Sequence, residues 1–270
     1  MNERDIGTFV REMGDRGLAL RSQMEVFAKG EDDFVTNVDR MLDRWLSQQF
    51  QQWFPRDMVI SEENADSFTQ WGDRTGDCWL IDPIDGTDDF IHGRSHYAVM
   101  VGRVAEEPIE GWIYAPALQT LTYGHCSGVV WQEPEPGPLQ QPAAGDRPVI
   151  LSSKDERVYG DAIRSVIPGV NFYSLGSFGL KVLEVVFGRA QAYLYLNRRV
   201  KLWDTAAPLA IAKGAGLRCC DLSGAPIQFA GAQIVPETLA HRQIIVIGWP
   251  DFLRQHLSHL ERAIAHCSPQ

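Results

Sequence analysis

The chemistry in this sequence is concentrated between Trp79 and Phe90, W-L-I-D-P-I-D-G-T-D-D-F, where an apolar run meets two carboxylates, a proline, a glycine and a hydroxyl. Trp79, Leu80 and Ile81 read as the buried end of a strand. Asp82 then leaves its carboxyl end, the edge where open α/β sheets place ligands. Pro83 fixes φ in the turn, and Gly86 lets the backbone approach a ligand before Thr87 opens the next segment. Asp85 follows Asp82 by three residues, close enough for the two to share a cation. Hard oxygen donors at this spacing suit Mg²⁺, which takes one or two carboxylates and leaves other positions to water and phosphate oxygens. A ligand-free acidic turn accounts for the same residues, because Asp, Pro and Gly are common turn formers.

Two further stretches separate these readings: V-I-S-E-E at Val59 to Glu63, upstream, and L-W-D-T-A-A at Leu202 to Ala207, downstream. With D-P-I-D-G-T between them, the order resembles that of the inositol monophosphatase superfamily of Mg²⁺-dependent, lithium-sensitive phosphatases. The resemblance spans most of the chain. It implies that Glu62, Asp82, the carbonyl of Ile84, Asp85 and Asp204 hold two or three Mg²⁺ ions, with Glu63 as a second acid beside Glu62. Ser61 stands where the family has glycine. A D-x-V-T-x-x-D pattern, matched by Asp33, Val35, Thr36 and Asp39, is expected beside the metals, although Asp39 also suits a plain helix cap. Thr87, polarised through Asp39, would orient or deprotonate water for in-line attack without a phosphoenzyme. The peptide nitrogens of Gly86 and Thr87 would receive the phosphate.

Substrate choice rests on a departure. Inositol monophosphatases carry a glutamate seven residues before the W-D aspartate, and this chain has Asn197 there. Arg198, Arg199 and Lys201 follow, and could hold a second, non-reacting phosphate; a solvated hairpin tip is the alternative. W-D-T-A-A, with Leu180 and Lys181, looks closer to the 3'(2'),5'-bisphosphate nucleotidase branch, which acts on adenosine 3',5'-bisphosphate. Inositol 1-phosphate or another small sugar phosphate is the second reading. A non-catalytic metal and phosphate sensor is the third, disfavoured because Glu62, Asp82, Asp85, Thr87 and Asp204 are all present.

With 270 residues, 44% hydrophobic, the chain can bury a large core, and its net charge of −10 opposes nucleic acid polymers as partners. Five cysteines without framework spacing favour a reducing compartment. No leader or membrane-length run is read, so a soluble, cytoplasmic protein is expected. Its expected partner is a small phosphorylated substrate, and a homodimer is an allowed assembly.

Periodicity predicts a long, kinked helix over Ile6 to Phe27 and a second one opened by Asp39 and stopped by Pro55. Met58 to Ile60 is a short strand. Tyr97 to Val104, Ile109 to Ala115, Gln119 to Cys126 and Val129 to Gln132 form an antiparallel run. The Pro- and Gly-rich segment Glu133 to Pro148 reads as a linker, dividing the chain into 1–146 and 147–270. Strands then alternate with helices, ending in an amphipathic helix over Asp251 to His266 whose histidines are expected to be solvated. Pro208 is tolerable if the helix starts at Thr205. The fold class is α+β / α/β, and the resemblance implies a layered α-β-α-β-α sandwich of the inositol monophosphatase / sugar phosphatase type.

Overall fold

The computed structural model describes residues 2–30, 33–73, 76–135, 139–143 and 148–267. Helix α1 (Glu3–Leu20) starts from a capping box in which Asn2 and Asp5 satisfy each other's backbone. It ends earlier than its periodicity predicts, and a 3-10 turn (Arg21–Gln23) leads into strand β1 (Val26–Gly30). Phe27, 37% exposed, sits in that strand and not on a helix. β1 pairs antiparallel with β2 (Asp33–Thr36), forming a hairpin that the sequence reading missed. Helix α2 (Asn37–Trp53) is capped by Thr36, with Asp39 at its third position, so Asp39 does not open the helix as expected.

The chain then builds a six-stranded sheet. Strand β3 (Met58–Ser61) leads through a 3-10 segment (Ala65–Asp73) to β4 (Cys78–Asp85) and the short helix α3 (Thr87–Ile91). Strands β5 (Ala98–Val104), β6 (Pro108–Ala115), β7 (Thr120–His125) and β8 (Val129–Glu133) follow as an antiparallel meander. The order is β3-β4-β5-β6-β7-β8, with only β3 and β4 parallel. The expected boundary between residues 146 and 147 lies outside the described residues.

A five-stranded sheet follows, ordered β10-β9-β11-β13-β12. It is built from β9 (Pro148–Ile150), helix α4 (Ser153–Val166), β10 (Asn171–Tyr173), helix α5 (Phe178–Val186) and β11 (Ala192–Tyr195). Helix α6 (Leu202–Gly214), strands β12 (Arg218–Cys220) and β13 (Ile245–Gly248), and helix α7 (Pro250–Cys267) complete it. Period-2 alternation sorts the layers. Trp79 and Ile81 of β4 pack with α1 and α2, whereas Leu80 joins the core around α5 and α6. Helices α4 and α7 cover the outer face of the second sheet. The result is the expected α-β-α-β-α sandwich.

The seat of α6 is a row of glycines. Gly102, Gly111 and Gly124 are paired neighbours across β5, β6 and β7. A Cβ on any of them would come within 2.7 Å of Ala206, Ala207 or Ile211 of the helix. Two expectations fail here and at the C-terminus. Pro208 lies well inside α6, because the helix starts at Leu202 and not at Thr205; the carbonyl of Asp204 therefore lacks its donor four residues on. His256 is 6% exposed and packs on Phe252, so it is not a solvated residue of the last helix.

Candidate active site

The acids meet where β3 and β4 end together. Parallel pairing sets Ser61 beside Ile81, and the amide of Glu62 donates to the carbonyl of Ile81 at 3.1 Å, so Glu62 emerges next to Asp82. Residues three apart on a regular strand point to opposite faces. Between Asp82 and Asp85 the register against β5 slips by one residue, a bulge that cancels this alternation and turns both carboxylates toward α5 and α6. Gly86, with φ of 93°, makes the left-handed turn into Thr87.

Each acid is held by its own protein donors. Asp82 Oδ1 accepts from the amide of Ile84 at 3.1 Å. Asp85 is bound by the start of α5: the amides of Phe178 and Gly179 donate at 3.0 and 2.7 Å, and the Ser177 hydroxyl also donates to it. Asp204, at the third position of α6, accepts from the amide of Lys201 at 2.6 Å. Asp39 accepts from the amide and hydroxyl of Thr36 at 2.9 and 2.5 Å. The Thr87 hydroxyl lies 3.2 Å from Asp39 Oδ1 and 3.0 Å from the carbonyl of Ile84, with one hydrogen to serve either.

Burial and like charge act together on these groups. Burial pushes Asp82 far above the usual carboxylate range, and Glu62, Asp85, Asp204 and Asp39 push it further. Asp204 rises to about 7 through burial, Glu62 and Asp85. Asp39 rises to about 6 through burial, opposed by the Thr36 bonds, and Glu63 to about 7 through burial and Glu62. Burial also raises Asp85, although the hydroxyl of Ser177 and the amides of Gly179 and Phe178 favour its ionised form. The acids drawn from three distant stretches therefore feel one another's charge.

Two lysines answer them: Lys29 was not foreseen, and Lys181 was noted only as a mark of the nucleotidase branch. Lys29, on the β1–β2 hairpin, pairs with Glu62 at 3.2 Å and with Glu63. Burial works against its charge, but those two carboxylates hold its pKa well above normal. Lys181 of α5 donates to the carbonyl of Gly176 at 3.2 Å, and burial lowers its pKa against the pull of Asp85, Asp89 and Asp155. Asp43 is a further omission, a buried acid of α2 whose carboxyl is pushed up by burial and by the charge of Glu62. Lys29 follows no apolar periodicity, and the partners of Asp85 lie 92 to 94 residues away, so local pattern carried no sign of either.

Among the described residues, no three acidic, histidine or cysteine side chains already close into an ion cage. The donor set nonetheless suits a hard divalent cation. Asp82 and Asp204 carry carboxylates whose proton affinity is raised by burial and by repulsion from neighbouring acids, and such a cation would relieve that repulsion. The proposed substrate loop is less unified. Asn197 Oδ1 accepts from the amide of Arg199 at 3.0 Å, and Arg198 holds φ of 54°. Both arginines are exposed, whereas the Lys201 ammonium lies 5.4 Å above the Trp203 ring.

Comparison with known proteins extends this picture. The sequence model of the inositol monophosphatase family matches residues 7–265. The 3'(2'),5'-bisphosphate nucleotidase CysQ of Escherichia coli K12 is 29% identical over 214 residues, covering 76% of this chain and 83% of that protein. A Thermotoga maritima IMPase structure superimposes with a TM-score of 0.78 at 21% identity, covering 99% of this chain and all of the other. An IMPase/NADP phosphatase complexed with Mg²⁺ and phosphate gives 0.75 at 18% identity, covering 97% and 94%. From its first helix to its last, the chain belongs to the inositol monophosphatase family, whose members are phosphatases.

Proposed function

We propose that this phosphatase acts on a nucleotide carrying two phosphates, as a 3'(2'),5'-bisphosphate nucleotidase that converts adenosine 3',5'-bisphosphate to AMP and phosphate. The observation that supports this reading is the Asn197-Arg198-Arg199 turn, in which two exposed cations follow the sequence position where inositol monophosphatases carry a glutamate. Arginine suits a phosphate that must be held without reacting. The 29% identity to CysQ supports the same choice. Inositol 1-phosphate or another small sugar phosphate is the second reading, favoured by the likeness to the IMPase structure.

In this reading Glu62, Asp82, the carbonyl of Ile84, Asp85 and Asp204 hold two or three Mg²⁺ ions. When bound, Mg²⁺ neutralises charge on the phosphate and eases displacement of the leaving oxygen. Thr87, polarised through Asp39, would orient or deprotonate the attacking water, and Asp39, with a pKa of about 6, is ionised at neutral pH and accepts from the Thr87 hydroxyl. Glu63 is a second acid beside Glu62. The amides of Gly86 and Thr87 bind phosphate oxygens, and Asn197, Arg198, Arg199 and Lys201 contact the remainder of the substrate. The enzyme works as a cytoplasmic protein, consistent with its free thiols, and a homodimer is a workable assembly. No helix among the described residues is long and apolar enough to cross a membrane.

The test is Mg²⁺-dependent phosphate release from adenosine 3',5'-bisphosphate, inositol 1-phosphate and fructose 1,6-bisphosphate, by wild type and by the double variant Arg198→Ala/Arg199→Ala. A charge-assisted contact is worth about 1.5–3 kcal/mol, so the variant should lose about tenfold or more in kcat/KM on the nucleotide relative to inositol 1-phosphate. Equal losses on both, or a wild type inactive on the nucleotide, would transfer the assignment to the second reading.

A further inference from the structure

A cavity of about 710 Å³ opens between the 3-10 segment Ala65–Asp73 and the loop at residues 230–239. None of the clustered acids lines it. Its volume falls within the range of small-molecule sites, about 300–1,000 Å³. The walls are largely apolar, with Phe68 and Trp71 on one side and Ile234, Pro236 and Leu239 on the other. Glu237 is the one charged side chain among the described lining residues. Among the described lining residues, a phosphorylated molecule would meet one like charge and no cation. A flat ring without negative charge would bury its faces against aromatic and aliphatic walls, and a positive charge on it would be drawn to Glu237.

Both walls are tied to the turn that presents Asp204. The Phe68 ring stacks on Trp203 with centroids 4.8 Å apart and planes at 29°, and the Lys201 ammonium lies over the same Trp203 ring. A ligand ring set against Phe68 would extend that stack. On the opposite wall, the carbonyl of Leu239 accepts from the amide of Leu202 at 3.1 Å, and the amide of His241 donates to the carbonyl of Val200 at 2.9 Å. Buried His241 joins its Nε2 to the Thr205 hydroxyl at 2.8 Å. Residues 200–205 are thus gripped from both sides of the cavity.

We propose that this cavity is a second binding site, for a planar aromatic ligand that is neutral or cationic, and that its occupation stiffens the Asp204 turn. The cavity shares no lining residue with the acidic cluster, and a ligand that binds one conformation of residues 200–205 more tightly shifts that turn's equilibrium by its differential affinity.

The test uses quinoline, 1-methylquinolinium and quinoline-2-carboxylate as probes on the full chain. Calorimetry should give saturable binding of the first two and at least tenfold weaker binding of the anion. Ile234→Trp, which fills the cavity, should abolish binding while keeping a cooperative melt. Glu237→Gln, an exposed change, should remove the preference for the cation and retain quinoline. Hydrogen exchange at residues 200–205 should slow severalfold with saturating quinoline in the wild type. Absence of saturable binding, equal affinity for the anion, unaltered binding in Ile234→Trp, or unchanged exchange at residues 200–205 would overturn the proposal.

Discussion

Replacing Asp39 by asparagine separates what one carboxylate does for stability from what it does for turnover. Burial raises Asp39 from 3.8 to about 6, so the folded chain binds its proton more tightly than the unfolded chain. The resulting stability is fully present below pH 4 and is lost as the pH rises through 6. About two pH units at about 1.4 kcal/mol each make ionised Asp39 cost the folded state roughly 3 kcal/mol at pH 8. Asparagine removes that cost. It also turns an amide nitrogen toward either the Thr36 donors or the Thr87 hydroxyl, which weakens the cap by about 1 kcal/mol. In EDTA, urea denaturation followed by tryptophan fluorescence should therefore find Asp39→Asn about 2 kcal/mol more stable than wild type at pH 8. At pH 4 it should be about 1 kcal/mol less stable. Turnover with Mg²⁺ should fall at least about 100-fold, because Thr87 loses its anionic acceptor. An identical stability difference at both pH values would refute the argument from burial, and activity within about tenfold of wild type would remove Asp39 from the mechanism.

Asp82→Asn should abolish Mg²⁺-dependent phosphate release while raising the melting temperature in EDTA, since it removes one charge from a buried cluster of like charges. Activity within about tenfold, a barrier change of about 1.4 kcal/mol, would exclude a role for Asp82. Ser177→Ala removes both the α5 cap and a donor to Asp85, and should cost about 1–3 kcal/mol by urea denaturation. Unchanged stability would show that Asp85 is not held through α5.

Much of the fold follows from local pattern. The run Trp79 to Ile81 announced a central strand, and the short turns after Val104, Ala115 and Cys126 admit only antiparallel neighbours, as β5 to β8 demonstrate. The β1–β2 hairpin was hidden because all five residues of β1 are exposed, leaving no apolar alternation to read. At Asp39 the error was one of position: Thr36 supplies the cap and Asp39 answers it from three residues on. A helix start at Leu202 could not be inferred, because Lys201 is a poor capping type and the turn is fixed by distant partners, Leu239 and His241. The carboxylates were legible as types at spacings. The donors to Asp85 were not, because those arise only when α5 packs against the end of β4.

Beneath α6, main chain rests on main chain. Side chains between a helix and a sheet usually act as deformable spacers, but a Cβ on Gly111 would stand 2.4 Å from the Cα of Ala207, against about 3.5–4.0 Å for ordinary carbon contact. The height of α6, and with it Asp204, above the sheet that carries Asp82 is therefore set by main-chain contact on β5, β6 and β7, beyond correction by any change of rotamer. One methyl group in the row would lift the helix by roughly an ångström, about half of a Mg²⁺–oxygen bond near 2.1 Å. The bed under this helix is held to a tolerance smaller than a single carbon atom.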